Sequence, residues 1–207
     1  MFPDFLENPS DVAAPLLLGC TLTRTITLNG EKHKLVARIV ETEAYDQDDP
    51  ASHAFGGPSE RNTAMFGPAG HLYVYVSYGM HHCCNVVCGP KGFGSGCLVR
   101  AVEPLEGVEV MRELREAGRA GKEQAERARK HPLKLRDLTN GPGKVCAALG
   151  IDKGLYGHDL TVEPLLLDFA PLLPGETIGS SPRVGISKNI DAPKRFFIEG
   201  NVFVSRA

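Results

Sequence analysis

Apolar and polar residues alternate with period two along several stretches, the signature of strands with one buried face. Residues 21–28 alternate up to Asn29-Gly30, a pair that favours the mirror-image turn of a tight hairpin, and the chain returns along 35–45. On an unbroken strand Ala37, Ile39, Glu41, Glu43 and Tyr45 share one face, and Val36, Arg38, Val40, Thr42 and Ala44 the other. The first face begins apolar and ends in two carboxylates and a phenol, a composition suited to the rim of a pocket. Residues 72–77 and 81–88 read as strands around the turn Tyr78-Gly79-Met80. A third strand at 97–102, with Leu98, Arg100 and Val102 on one face, completes an antiparallel meander. Shorter strands are expected at 165–169, 183–186, 195–198 and 202–204.

Helical signals are fewer. Ser10-Asp11 can cap a helix that Gly19 stops, with Pro15 tolerable only in or near its first turn. Glu103-Pro104 is read as opening a second helix, with Val108, Met111 and Leu114 as its buried stripe. Asn140-Gly141-Pro142-Gly143-Lys144 opens a third that runs to Gly150. The glycine spacing there is wrong for a nucleotide-binding loop, and Val145 stands where Ser or Thr is required. Residues 46–70, rich in Asp, Pro, Gly, Ser and Asn, form a loop long enough to carry function, and His53 lies in it. Residues 112–136 are rich in Arg and Lys, as a solvated helical face or as a surface for phosphates. No repeat or linker divides the chain, so residues 1–207 are expected to form a single domain.

Charge changes the picture little. The 207 residues carry 23 basic and 25 acidic side chains, so any nucleic-acid contact must come from local clustering. The six cysteines are irregularly spaced and no secretory leader or apolar span is visible, which points to reduced thiols in a cytoplasmic protein without a membrane partner. The run His81-His82-Cys83-Cys84 is the best metal candidate. Adjacent cysteines on a strand point to opposite faces and no second ligand pair completes a tetrahedral set, so no metal site is expected. Aromatic residues make up 7% of a chain without Trp, yet Tyr73, Tyr75 and Tyr78 fall within six consecutive positions.

The ordered set Glu41-Thr-Glu-Ala-Tyr45, His53, Arg61-Asn62, Met65-Phe66, Leu72-Tyr-Val-Tyr75, Tyr78-Gly-Met80, Asn85, Leu98-Val-Arg100-Ala-Val-Glu-Pro-Leu-Glu-Gly107, Gly141-Pro-Gly-Lys-Val-Cys146 and Arg183-Val-Gly185 resembles the alkyladenine (3-methyladenine) DNA glycosylase family. The resemblance covers most of the chain in order. With the strand and helix pattern it implies an α+β fold: a curved, mostly antiparallel sheet with several helices packed around it. It also implies a monofunctional enzyme that flips alkylated or deaminated purines out of double-stranded DNA, hydrolyses the N-glycosidic bond and leaves an abasic site. A monomer without cofactor suffices, cytoplasmic or, in a bacterium, nucleoid-associated.

The resemblance makes Glu43 the base that activates water, with Glu41 supporting it. Arg100 binds phosphate and helps to place the water. Tyr45 and His53 stack on one side of the base and Tyr75 on the other. Asn85 discriminates among purines, and Tyr78, with Met80 beside it, fills the gap left by the extruded nucleotide. The chemistry is coherent, since aromatic faces attract cationic alkylated purines and hydrolysis needs a carboxylate within reach of water. Lys144, at a helix amino end, is a candidate for a backbone phosphate. No lysine stands at a position that favours a Schiff base with the sugar. Plainer roles compete: a strand-end ion pair for Glu43, a pair with Glu41 or Glu103 for Arg100, and a backbone hydrogen bond for Asn85. The rival reading of the whole chain is a non-catalytic nucleic-acid-binding module, which has no need of the paired carboxylates. A zinc-dependent hydrolase is the third.

Overall fold

The computed structural model describes residues 4–117 and 133–206. Strand β1 (Thr21–Leu28) turns at Asn29 and Gly30, with φ of 52° and 85°, into the 16-residue strand β2 (Glu31–Asp46). The expected mirror-image hairpin turn is there. β3 (Leu72–Ser77), β4 (His81–Val87) and β5 (Ser95–Glu106) form the meander, and β6 (Leu165–Asp168), β7 (Ile178–Ser181) and β8 (Arg195–Ile198) follow. The sheet runs β3-β4-β5-β2-β1-β6 and every pairing in it is antiparallel. β2 is long enough to serve three partners: β5 along one edge, and β1 and then β8, which also carries β7, along the other. Helices α1 (Ser10–Leu16), α2 (Val108–Ala117) and α3 (Pro142–Leu149) complete an α+β fold, with α1 against β2 and β5, α3 against β4 and β5, and α2 against α3.

The unbroken alternation expected of β2 does not hold. Its register against β5 steps from Ile39↔Val102 to Glu41↔Ala101, then to Thr42↔Val99, so Val40 is an extra residue on one strand and Arg100 on the other. A bulge of this kind reverses the parity of the strand. Leu35, Ala37 and Ile39 enter the main apolar core before it, and Val40 and Ala44 enter the same core after it. Glu41, Glu43 and Tyr45 are thereby released to the opposite face. Val102 likewise joins the core with Val99 and Ala101 and does not share a face with Leu98 and Arg100.

Four further expectations are corrected. Pro104 does not open a helix: β5 continues to Glu106, and α2 begins after Gly107 at φ +77°. Pro104 is tolerated because it sits opposite Ala37 at a second register shift, where the ladder is already broken. Residues 183–186 are no strand, because Val184 spends its N–H on Glu43, and 202–204 form a turn led by Asn201. Ser10 does not cap α1. Pro9 occupies the cap position, and the Ser10 N–H donates to Asp46 Oδ1 at 3.1 Å while the Ser10 hydroxyl is buried with no partner. Asp46, from the end of β2, also accepts from Ser95 Oγ at 2.6 Å, and so ties sheet to helix. Of the basic segment 112–136, residues 118–132 lie outside the described residues.

This inverted cap can be checked by denaturant unfolding. Ser10→Ala should change stability by less than about 0.5 kcal/mol, whereas Asp46→Ala should cost about 2–3 kcal/mol. A Ser10→Ala loss as large as that of Asp46→Ala would restore the side-chain cap.

Candidate active site

Beside the bulge lies a cavity of about 630 Å³. Its wall contains Glu43 and Tyr45 from β2, His53 from the loop at 46–70, Tyr75 from β3, Asn85 from β4 and Arg100 from β5, with Tyr78 at the β3–β4 turn. Met80 and Lys144 are not in that wall. Met80 is exposed two residues beyond Tyr78, and Lys144 Nζ donates to Asn140 Oδ1 at 2.6 Å. Tyr78 is 86% exposed and held at φ 49°, a left-handed conformation that folding alone does not favour for a tyrosine.

The two carboxylates are both fully buried but are held differently. Glu41 has the denser shell of partners: it pairs with Arg195 Nε at 2.6 Å and Arg100 Nε at 3.0 Å, and accepts from Ser205 N at 2.6 Å and Ser205 Oγ at 2.8 Å. It is absent from the cavity wall. Glu43 accepts from Tyr45 OH at 2.8 Å on Oε2 and from Val184 N at 2.9 Å on Oε1, where Arg100 Nη1 approaches to 3.4 Å. Each Glu43 oxygen retains a lone pair for a further donor. Arg100 thus bridges the two acids, and Glu103 pairs with Arg38 instead. Burial, with the adjacent Glu43 carboxylate next, pushes the Tyr45 phenol far above its ordinary range, so it remains a donor.

The aromatic wall departs from the expected sandwich. His53 lies edge-on to Tyr75, with centroids 4.6 Å apart, so the two belong to one wall and leave no room for a base between them. Tyr73, which sequence reading left without a role, stacks on Tyr75 at 5.6 Å and bonds His53 Nδ1 through its hydroxyl at 2.9 Å. Arg61 Nη2 contacts His53 Nε2 at 3.2 Å. A guanidinium can only donate, so Nε2 accepts and Nδ1 carries the proton toward Tyr73. Burial first, and then the Arg61 charge, lowers the His53 pKa from its ordinary value and keeps the ring neutral. Asn85 lines the cavity and its amide reaches Tyr73 O at 3.4 Å. Lys188, also unforeseen, lines the cavity from the exposed loop after Val184.

Residues 4–202 match the family described as Methylpurine-DNA glycosylase (MPG). The chain belongs to this family. A relative from Nitrosospira multiformis, named "Putative 3-methyladenine DNA glycosylase", is 45% identical over 203 residues, covering 98% of this chain and 92% of its own. Similarly named proteins are 48% identical in Agrobacterium fabrum, over 81% of this chain and 77% of theirs, and 42% identical in Methanoculleus marisnigri, over 98% and 96%. The protein is therefore a DNA glycosylase, an enzyme of base excision repair, and not a non-catalytic binding module. Among the described residues of the glycosylase, no group of three or more His, Cys, Asp or Glu could hold a metal ion. No described helix is long and apolar enough to cross a membrane. All six cysteines are free and buried. Cys84 lies in the main core and Cys83 in the cavity wall, where burial pushes its thiol up to about 11.

The state of His53 has a consequence for stability. Its folded pKa lies below the unfolded value of about 6.5, so the unfolded chain binds more protons and stability falls as pH drops through that value. This component of the slope should be missing from His53→Gln, and NMR titration should place His53 below the ordinary histidine range. A raised titration point would contradict the network.

Proposed function

We propose that the enzyme flips alkylated or deaminated purines out of duplex DNA into this cavity and hydrolyses their N-glycosidic bond with water activated by Glu43. Supporting substrates are 3-methyladenine, 7-methylguanine, hypoxanthine and ethenoadenine. The observation that carries the reading is a carboxylate with no solvent exposure in the wall of a ring-lined cavity with room for a purine. Glu43 takes a proton from water as the water oxygen bonds to the sugar carbon, and the base leaves with the electrons of the broken bond. Arg100 fixes the Glu43 carboxylate and compensates charge on the DNA backbone.

Tyr45 stacks on one face of the base, and Tyr75 with His53 forms the other wall, each stacking contact contributing about 1–3 kcal/mol. Asn85 reads the purine edge. Tyr78 fills the vacated stack with Met80 beside it, which offsets the few kcal/mol lost in unstacking. Lys144 meets a backbone phosphate, and Lys188 stands at the cavity rim as a second cation. The reaction calls for no metal or organic cofactor. The chain acts as one catalytic domain and as a monomer, in the cytoplasm or on the nucleoid. Chemistry ends at the abasic site: water and not an amine attacks the sugar, so borohydride should trap no covalent adduct with DNA.

The decisive variant is Glu43→Gln. On a duplex with one hypoxanthine, followed by alkali, excision should fall by at least about a hundredfold. Binding of the same duplex, read by fluorescence anisotropy, should persist within threefold or so. Undiminished turnover would remove Glu43 from the chemistry.

A further inference from the structure

The Arg183 guanidinium stands 4.5 Å from the centroid of the Tyr45 ring. Its side chain has no solvent exposure, and it is not part of the cavity wall, whereas Tyr45 and the next residue, Val184, are. The cation therefore sits on the ring face turned away from the cavity. Nη1 donates to Ala44 O at 2.8 Å and pairs with Asp49 Oδ2 at 2.7 Å. Nε and Nη2 are buried with no hydrogen-bond partner. A guanidinium carries five donors, and leaving several buried and unpaired is unfavourable. Its placement thus favours the ring face over a full set of hydrogen bonds. Asp49 does not simply cancel the charge, because Lys194 Nζ shares the same oxygen at 3.5 Å.

Resting on the reading of Tyr45 as the stacking partner, we propose that Arg183 is a specificity-determining residue that biases the site toward neutral damaged purines and against cationic ones. The face of an aromatic ring is the negative part of its quadrupole, and a cation on either face draws on it. With one face engaged by Arg183, a cationic purine on the other meets repulsion through the ring, in a site where little water screens it. A neutral purine meets none, and it stacks on a ring polarised toward the guanidinium. The bias opposes Glu43, whose carboxylate attracts cationic bases. Arg183 thereby extends the range of the pocket to lesions that bring no charge of their own.

The test is a ratio: single-turnover excision of 7-methylguanine over hypoxanthine from matched duplexes, corrected for spontaneous base loss. Arg183→Gln should raise the ratio roughly tenfold, and Arg183→Lys, which keeps the charge but loses the planar stack, should raise it less. Asp49→Asn, which removes the compensating carboxylate, should lower it. If Arg183→Gln does not fold, the direction of the Asp49→Asn shift decides. Equal losses on both substrates, or a Lys variant that behaves like Gln, would leave Arg183 a structural role only and overturn the proposal. Wild-type enzyme that excises neither base would instead sink the base-site reading on which it rests.

Discussion

Two glutamates, two residues apart on one strand, are held wholly out of water, and the rest of the site depends on how their charges are compensated. Moving an ion out of water costs several kcal/mol unless partners replace its hydration. Arg100 stands between the acids, and Arg195 closes the group on the far side of Glu41. Ser205 adds a backbone and a hydroxyl donor from the last turn of the described chain. The division of labour follows from position. Glu41 lies outside the cavity wall and anchors Arg100 and Arg195, whereas Glu43 keeps acceptor capacity in that wall.

That arrangement needs both carboxylates on the face away from the core, and a regular strand would not put them there. The bulge at Val40 turns a core-facing strand into a cavity-facing one without interrupting the sheet. The opposing extra residue on β5 is Arg100 itself, so one local irregularity delivers both the acids and their counter-ion. β2 then supplies Tyr45 two positions beyond Glu43, close enough for the phenol to bond the carboxylate while its ring forms part of the wall. The facing wall is built on β3, where Tyr73 orients His53 against Tyr75.

Much of this was legible in the sequence, for local reasons. Period-two alternation and Asn29-Gly30 locate the hairpin, and the resemblance to the glycosylase family names Glu43, Tyr45, His53, Tyr75, Tyr78, Asn85 and Arg100, which the fold brings around one cavity. What could not be read depends on pairing. A bulge leaves no mark in the strand that carries it, so Ile39 and Glu41 were placed on one face. Pro104 carries a helix-start signal that a register shift in β5 overrides. Besides Tyr45 and Arg100, the partners of Glu41 and Glu43 are Val184, Arg195 and Ser205, which lie more than a hundred residues away around β8, a strand that no local pattern pairs with β2. The position of His53 against Tyr75, not Tyr45, is likewise set by Tyr73 across space. Met80 and Lys144, outside the wall, are candidates for the DNA surface around it.

The account is tested most directly by a structure of the enzyme on a duplex carrying a stable abasic-site analogue. It predicts the analogue sugar turned into the cavity, a water within about 3 Å of both Glu43 and the sugar carbon, and the Tyr78 ring inserted between the flanking base pairs. A duplex bound with its stack intact and Tyr78 in solvent, or a sugar beyond reach of the Glu43 carboxylate, would contradict it.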